Sequence, residues 1–200
     1  IRDRPSEQSI NHALWTSDFS VRKRKDGGFT VASGTRTVVD IVPDSFRYMR
    51  QFMPNLKAEW KSLDFRIGER SFQEIKHRSS WANDALTEFE KQRIRDPKPA
   101  DKQVLYAFEK LKHTLPHLAD LQVAQIWAGL IDVTPDVIPV ISGVDSVNGL
   151  HIATGFSGHG FGIAPGAGCL MADIVAGTTP IVDPYDYRFS RFSDESPIVL

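Results

Sequence analysis

An α+β fold is what this sequence predicts, on three observations. Two β-like runs flank a glycine turn near the start, a helical apolar period follows residue 100, and the chain later passes through a strand, a glycine-rich loop and an apolar helix.

Taken in order, Leu14 to Val42 reads as strands. FSVRKRK and FTVAS flank Asp26-Gly27-Gly28, where glycine tolerates the positive φ of a tight turn, and TVVDIV is a further candidate strand. Past Pro43 the period becomes helical, with Phe46, Met49, Phe52, Leu56, Trp60 and Leu63 at three- or four-residue steps and Asp44 or Ser45 as the cap. FRIGERSFQEI reads as another strand. Residues 76–100 are polar and broken by Pro97 and Pro99, which predicts a loop or partly helical insertion. Asp101 offers an N-cap to an amphipathic helix carrying Val104, Leu105, Phe108, Leu111 and Leu115 on one face, and Pro116 ends it. LQVAQIWAGLIDVT, IPVIS and GLHIATG are three β-like runs; Ile163 to Val175 is an apolar helix stopped by Gly177, and the remainder is irregular.

Composition narrows the function classes. With 200 residues, 41% of them hydrophobic, the chain is able to bury a sizeable core. A net charge of −1 gives no broad field for nucleic acid or an anionic membrane, and Arg22-Lys23-Arg24-Lys25 reads as a solvated strand face. The lone Cys169 excludes an internal disulfide framework, fits a reducing compartment and, in its apolar context, reads as a buried structural thiol. No apolar run approaches the roughly 18 residues of a membrane span, and no signal peptide opens the sequence, so a cytoplasmic protein is expected. The opening IRDRPSEQSINHALW lacks an initiator methionine, which suggests a piece of a longer polypeptide or a product of processing. No metal ligands are expected.

The stretch TGFSGHGFGIAPGAG, residues 154–168, concentrates the chemistry. A strand entering a glycine-rich turn and then a helix presents unpaired N–H groups and a positive helix end to an anionic or polar ligand group. Gly155, Gly158, Gly160 and Gly162 allow close approach of backbone, while Gly166 and Gly168 suit close packing of the helix on a sheet. A dinucleotide fingerprint does not fit. The frame from Gly158 reaches Ile163 at its sixth position, the frame from Gly160 reaches Pro165, and Asp183 precedes Pro184 in the tail. Another segment or chain must therefore hold any pyrophosphate.

Trp127-Ala128-Gly129, Thr134-Pro135-Asp136, Pro139-Val140-Ile141 and GLHIATGFSGHGFGIAPGAG resemble the C-terminal half of the FAD-dependent amino-acid and amine oxidoreductases typified by sarcosine oxidase, glycine oxidase and D-amino-acid oxidase. FSVRKRKDGGFTVA is similar to the start of that family's substrate domain. The resemblance implies an antiparallel-sheet substrate domain with helices over 1–142, the returning strand–loop–helix of an FAD-binding domain over 143–177 and a tail over 178–200. The N-terminal Rossmann part would be absent from this chain and supplied by an earlier segment or a separate subunit. It implies FAD contacts from Gly129, Gly155, Phe156, Ser157, Gly158, His159, Gly160, Phe161, Gly162 and Ile163, with the loop against the flavin and the helix N-terminus toward its pyrimidine edge. Backbone donors and the helix dipole there favour the negative charge of the reduced state. His159 is a positional or hydrogen-bonding residue, with direct proton transfer as the rival role; Ser157 reads as structural.

Three departures from the family pattern refine the expectation. Gly162 stands where sarcosine-oxidase-like members often carry a lysine, so the helix end and backbone must supply its stabilisation. Gly129 stands where covalent-flavin members carry a cysteine, which implies non-covalent FAD. Ile131 replaces the arginine that clamps the substrate carboxylate in glycine and D-amino-acid oxidases, which disfavours a primary D-amino acid held in that way. The neighbouring Asp132 holds a substrate ammonium or caps a turn; both roles stay open. Arg36, Arg47 and Arg66 are alternative carboxylate binders or surface residues.

The expected function is therefore oxidation of the C–N bond of an amino acid or secondary amine by hydride transfer to FAD, with His159 and Asp132 as candidate catalytic groups and oxygen or another carrier as acceptor. The rival is a non-catalytic subunit or fragment acting in assembly; a lone nucleotide-binding module ranks last.

Overall fold

A computed structural model describes residues 12–34, 36–75, 82, 84–91, 93–94 and 96–199. The opening residues 1–11, and 76–81, 83, 92 and 95 of the expected insertion, lie outside the described residues. The chain forms two compact units, one of residues 1–42 and 61–129 and one of residues 43–60 and 130–200.

The first unit opens with the antiparallel sheet β1 (Leu14–Trp15), β2 (Phe19–Lys23) and β3 (Phe29–Ser33). The β2–β3 hairpin forms where the glycine turn predicts it, with Val21 opposite Val31. Asp26 accepts a bond from the Gly28 N–H at 3.0 Å, and Gly27 takes φ +83. An added Cβ at Gly27 meets nothing within 4 Å, so Gly27→Ala isolates the conformational cost. A loss of about 1 kcal/mol is expected, read as a shift in urea midpoint at constant slope.

β4 (Thr37–Asp40) and β5 (Leu63–Arg66) run parallel, a departure from a wholly antiparallel arrangement. Parallel pairing needs a long crossover, which the helical residues between the two strands supply. Asp40 and Arg66 face each other in this register and bond at 2.6 and 3.2 Å, which draws the Asp40 carboxyl below its ordinary pKa against the upward push of burial.

FRIGERSFQEI divides between two elements. Phe65 and Arg66 end β5, and α3 spans Glu69–Ile75. Gly68 breaks the strand, and its N–H donates to Ser71 Oγ at 3.1 Å, starting the helix in the manner of a cap. α4 (Glu88–Lys91) is a single turn.

α5 (Asp101–Thr114) is the predicted amphipathic helix, starting after Ala100, so Asp101 lies in its first turn instead of capping it. Ala107, Phe108 and Leu111 are buried against Phe19, Val21 and Phe29 of the hairpin, with Leu118 and Leu121 closing the core and Leu115 packed against it. Leu105, expected on that face, is exposed, because it sits about 100° round the helix from the inward positions.

The second unit contains α1 (Pro43–Arg47), α2 (Met49–Glu59), β6 (Val140–Gly143), β7 (His151–Thr154) and α6 (Gly160–Ala176). α1 begins at Pro43, where a missing N–H costs nothing, so Asp44 falls inside the first turn and pairs with Arg47 at 3.2 Å. Leu63, expected to continue this helical stretch, belongs instead to β5. β6 and β7 form an antiparallel hairpin with Val140 opposite Thr154. α6 stops as predicted at Gly177, which takes φ +68.

LQVAQIWAGLIDVT carries a single bridge, Val133 to Phe156, and no other ladder among the described residues. Alternation marks a face, but strand structure also needs a neighbouring edge to accept its hydrogen bonds. No described helix is long and apolar enough to cross a membrane.

Candidate functional site

The site is built within the second unit, where β7 turns into α6. Between them Gly155, Ser157 and Gly158 all have positive φ, at +72, +50 and +85. At Gly155 the constraint is double: a Cβ would collide with Thr134 Cγ2, and the left-handed backbone disfavours any side chain. At Gly158 the nearest atom, Ile131 Cγ2, would be 3.8 Å from an added Cβ, so backbone conformation alone selects glycine.

His159 turns the chain into the helix. Its N–H donates to the Phe156 carbonyl at 2.8 Å, and its own carbonyl accepts from Gly162 at 3.0 Å and Ile163 at 3.3 Å. Helix geometry leaves the N–H groups of Gly160 and Phe161 without an intrahelical acceptor, at the positive end of a 17-residue helix. The helix starts three residues before the expected Ile163, because this backbone turn at His159 nucleates it upstream of Pro165. The His159 side chain is exposed and makes no capping bond.

A second segment, residues 131–138, braces the bend. Asp132 Oδ2 accepts from Thr154 Oγ1 at 2.5 Å and from the Gly155 N–H at 2.7 Å, and the Asp132 carbonyl accepts from the Ser157 N–H at 2.9 Å. Thr134 N–H donates to Ser157 Oγ at 3.3 Å, and Ser157 Oγ donates to the Gly155 carbonyl at 3.1 Å. Ser157 is thus a structural residue, tying both sides of its own turn to residue 134.

Thr134-Pro135-Asp136 forms a tight turn whose next residue, Val137, has φ +61. For a β-branched residue that is a strained conformation, held only where its surroundings over-determine it. Here Asp136 Oδ1 accepts the Ile138 N–H at 3.1 Å, and the buried Arg191 guanidinium bonds both Asp136 oxygens, at 2.7 and 3.1 Å. Burial alone pushes the Asp136 carboxyl up; Arg191 and the Ile138 amide more than offset that and hold it below the usual aspartate value. The pair therefore gives its full stabilisation above the unfolded aspartate pKa of about 3.9 and loses it as pH falls through the lower folded value. Urea midpoints measured from pH 5 downward should fall more steeply for the wild type than for Asp136→Asn.

Of the predicted contact residues, Gly155 to Ile163 are contiguous in this bend and helix start, with Asp132 bonded to it. Gly129 ends the other unit, exposed, with open space where a Cβ would stand. Phe161 is fully exposed. Gly166 and Gly168 do not pack on a sheet: added Cβ atoms would meet nothing within 4 Å, and Leu170 is the buried contact of α6. Cys169, expected to be buried, is exposed for the same reason: this chain covers little of its apolar helix. Arg36, Arg47 and Arg66 bond Asp64, Asp44 and Asp40 respectively.

Sequence reasoning assigned no role to Arg191, which lies in the tail read as irregular. Two short 3₁₀ turns, Tyr185–Tyr187 and Phe189–Phe192, carry it back to Asp136, and no local pattern announces a contact spanning 55 residues.

Chemically, the bend offers convergent backbone donors, a positive helix end and glycine surfaces open to a flat neighbour, as at Gly162, where an added Cβ meets nothing within 4 Å. Such a surface fits a polar planar ligand edge that gains negative charge, and a flavin's pyrimidine edge has that chemistry. Among the described residues no cluster of His, Cys, Asp or Glu could hold a metal ion.

Comparison with known proteins identifies the family. The chain belongs to the FAD dependent oxidoreductase (DAO) family, matching it over residues 17–174. It is 42% identical over 73 residues to glycine oxidase of Pseudomonas aeruginosa, covering 36% of this chain and 20% of that protein. It is 35% identical over 83 residues to D-amino acid dehydrogenase of Granulibacter bethesdensis, covering 42% of this chain and 20% of the relative. Among solved structures, L-amino acid deaminase from Proteus vulgaris aligns over 88% of this chain and 40% of its own, at TM-score 0.80 and 27% identity. The Proteus myxofaciens L-amino acid deaminase, in complex with anthranilate, aligns over 88% and 39% at TM-score 0.81 and 30% identity. The matched stretches thus span about a fifth of the curated relatives' length and about two fifths of the solved chains. The mixed αβ architecture is shared with these structures.

Proposed function

We propose that this chain is the substrate-binding and flavin-covering part of an enzyme that oxidises the C–N bond of an amino acid or secondary amine. FAD, bound non-covalently, supplies the two-electron acceptor for that chemistry. The observation that carries the reading is the β7–α6 bend, whose positive-φ residues and first-turn N–H groups form a surface matched to a flavin edge.

In this reading residues 143–177 cover the cofactor, and the part up to residue 142 contributes substrate binding. An N-terminal segment or separate subunit holds the dinucleotide end. The Gly160 and Phe161 amides and the helix end favour negative charge at the edge they face, substituting for the lysine that Gly162 replaces. Asp132 braces the bend through Thr154 and Gly155, and this use of Oδ2 favours the turn-holding role over capture of an ammonium group. His159 acts through its backbone. Ile131 leaves the substrate carboxylate to another group, which favours a secondary or N-substituted amino acid. The relatives' names include D- and L-amino acids, so a turnover screen must include both series.

The test is the visible spectrum of the chain purified with its FAD-binding segment, followed by ammonia or amine release from a panel of amino acids with oxygen or an artificial acceptor. An oxidised-flavin spectrum bleached by substrate is the expected result. Persistent absence of flavin after FAD addition overturns the reading in favour of an assembly role.

A further inference from the structure

We infer that Arg191 is a positioning residue for the proposed flavin-facing bend: its guanidinium clamps the strained turn at Val137 and, through Thr134 and Ser157, sets where residues 155–160 present their backbone. The inference rests on the FAD reading above and adds a residue from the tail to that site.

The clamp is specific to the arginine fork. Arg191 Nε and Nη2 bond the two Asp136 oxygens at 2.7 and 3.1 Å, Nη2 also bonds the Ile138 carbonyl at 2.7 Å, and Nη1 bonds the Arg188 carbonyl at 2.9 Å. The first three bonds grip the residues on either side of Val137, whose φ of +61 is otherwise unfavourable. Arg191 and Asp136 are only 6% and 7% exposed, so water is a poor substitute for any of these bonds. A lysine has three donors at one point and no planar fork, and cannot reproduce the set.

The turn is connected to the bend without slack. The Ile138 carbonyl that Arg191 holds also accepts Thr134 Oγ1 at 2.8 Å. Thr134 then donates its N–H to Ser157 Oγ at 3.3 Å, while its methyl fills the space a Gly155 side chain would need. A shift of the turn must therefore displace Gly155 and Ser157 or break these contacts. Arg188 provides the internal comparison: its side chain bonds Asp194, Ser196 and the Tyr185 carbonyl, all within the tail.

The experiment compares Arg191→Lys and Arg188→Lys in the complete flavoprotein, using amide hydrogen exchange without FAD and FAD titration by flavin fluorescence. Arg191→Lys should speed exchange at the Gly155 and Ser157 amides at least tenfold and weaken FAD binding at least tenfold, while Arg188→Lys changes neither. Faster exchange confined to residues 185–196, or a loosened bend with unaltered FAD affinity, reduces Arg191 to a tail anchor and overturns the proposal. Asp136→Asn, which removes charge at nearly constant volume, should give the same pattern and stands in if Arg191→Lys does not fold. A wild-type protein that takes up no FAD overturns the functional reading, and the positioning of a flavin with it. Wild-type FAD binding with an unchanged Arg191→Lys defeats this inference alone.

Discussion

Gly155→Val is expected to destabilise the protein by about 3–5 kcal/mol and to abolish FAD retention through gel filtration. Two costs coincide at this position. The backbone φ of +72 is unfavourable for a β-branched residue, and the new Cβ would occupy the place of Thr134 Cγ2. Relief by moving Thr134 is blocked, because its hydroxyl and amide are committed to the Ile138 carbonyl and Ser157 Oγ. Gly162→Ala is the matched comparison. Gly162 lies in α6 with no positive φ and open space around its Cβ position, so alanine should leave stability unchanged or raise it by up to about 1 kcal/mol. FAD retention should also survive in this variant, because the family members that carry a lysine at this position accommodate a longer side chain there, whereas Gly155→Val loses it.

Asp132→Ala is expected to cost about 1–2 kcal/mol, since it removes the acceptor of two charge-assisted bonds, from Thr154 Oγ1 and the Gly155 amide, at an exposed residue where water replaces part of what is lost. Asp132→Asn separates the two roles open to this carboxylate. An amide oxygen still accepts both bonds, so stability should stay within about 1 kcal/mol of wild type and kcat/KM should change little. A tenfold or larger rise in KM at unchanged stability and unchanged FAD affinity would assign Asp132 to the substrate ammonium instead. Urea titration and steady-state kinetics on the same preparations distinguish these outcomes.

How much of this was legible beforehand depended on how local its cause was. The β2–β3 hairpin, α5 and the Gly177 stop were readable because each follows from neighbours in sequence: a glycine turn, an apolar period and a left-handed cap. FRIGERSFQEI misled because its apolar residues fit two periods, and Gly68 with Ser71 decided in favour of a helix after the break. LQVAQIWAGLIDVT alternates like a strand yet makes one bridge, since pairing depends on an edge that its own residues do not specify.

The sequence by itself determined the form of the β7–α6 bend, because glycine at 155 and 158, both at positive φ, and a helix following at once are local requirements of that backbone surface. Only the tertiary structure decided what holds that surface in place: Asp132 and Thr134 from one segment and Arg191 from the tail. The physical reason is that a hydrogen bond between distant residues leaves no periodicity or composition in either stretch, whereas a backbone conformation closed to side chains leaves glycine in the sequence itself.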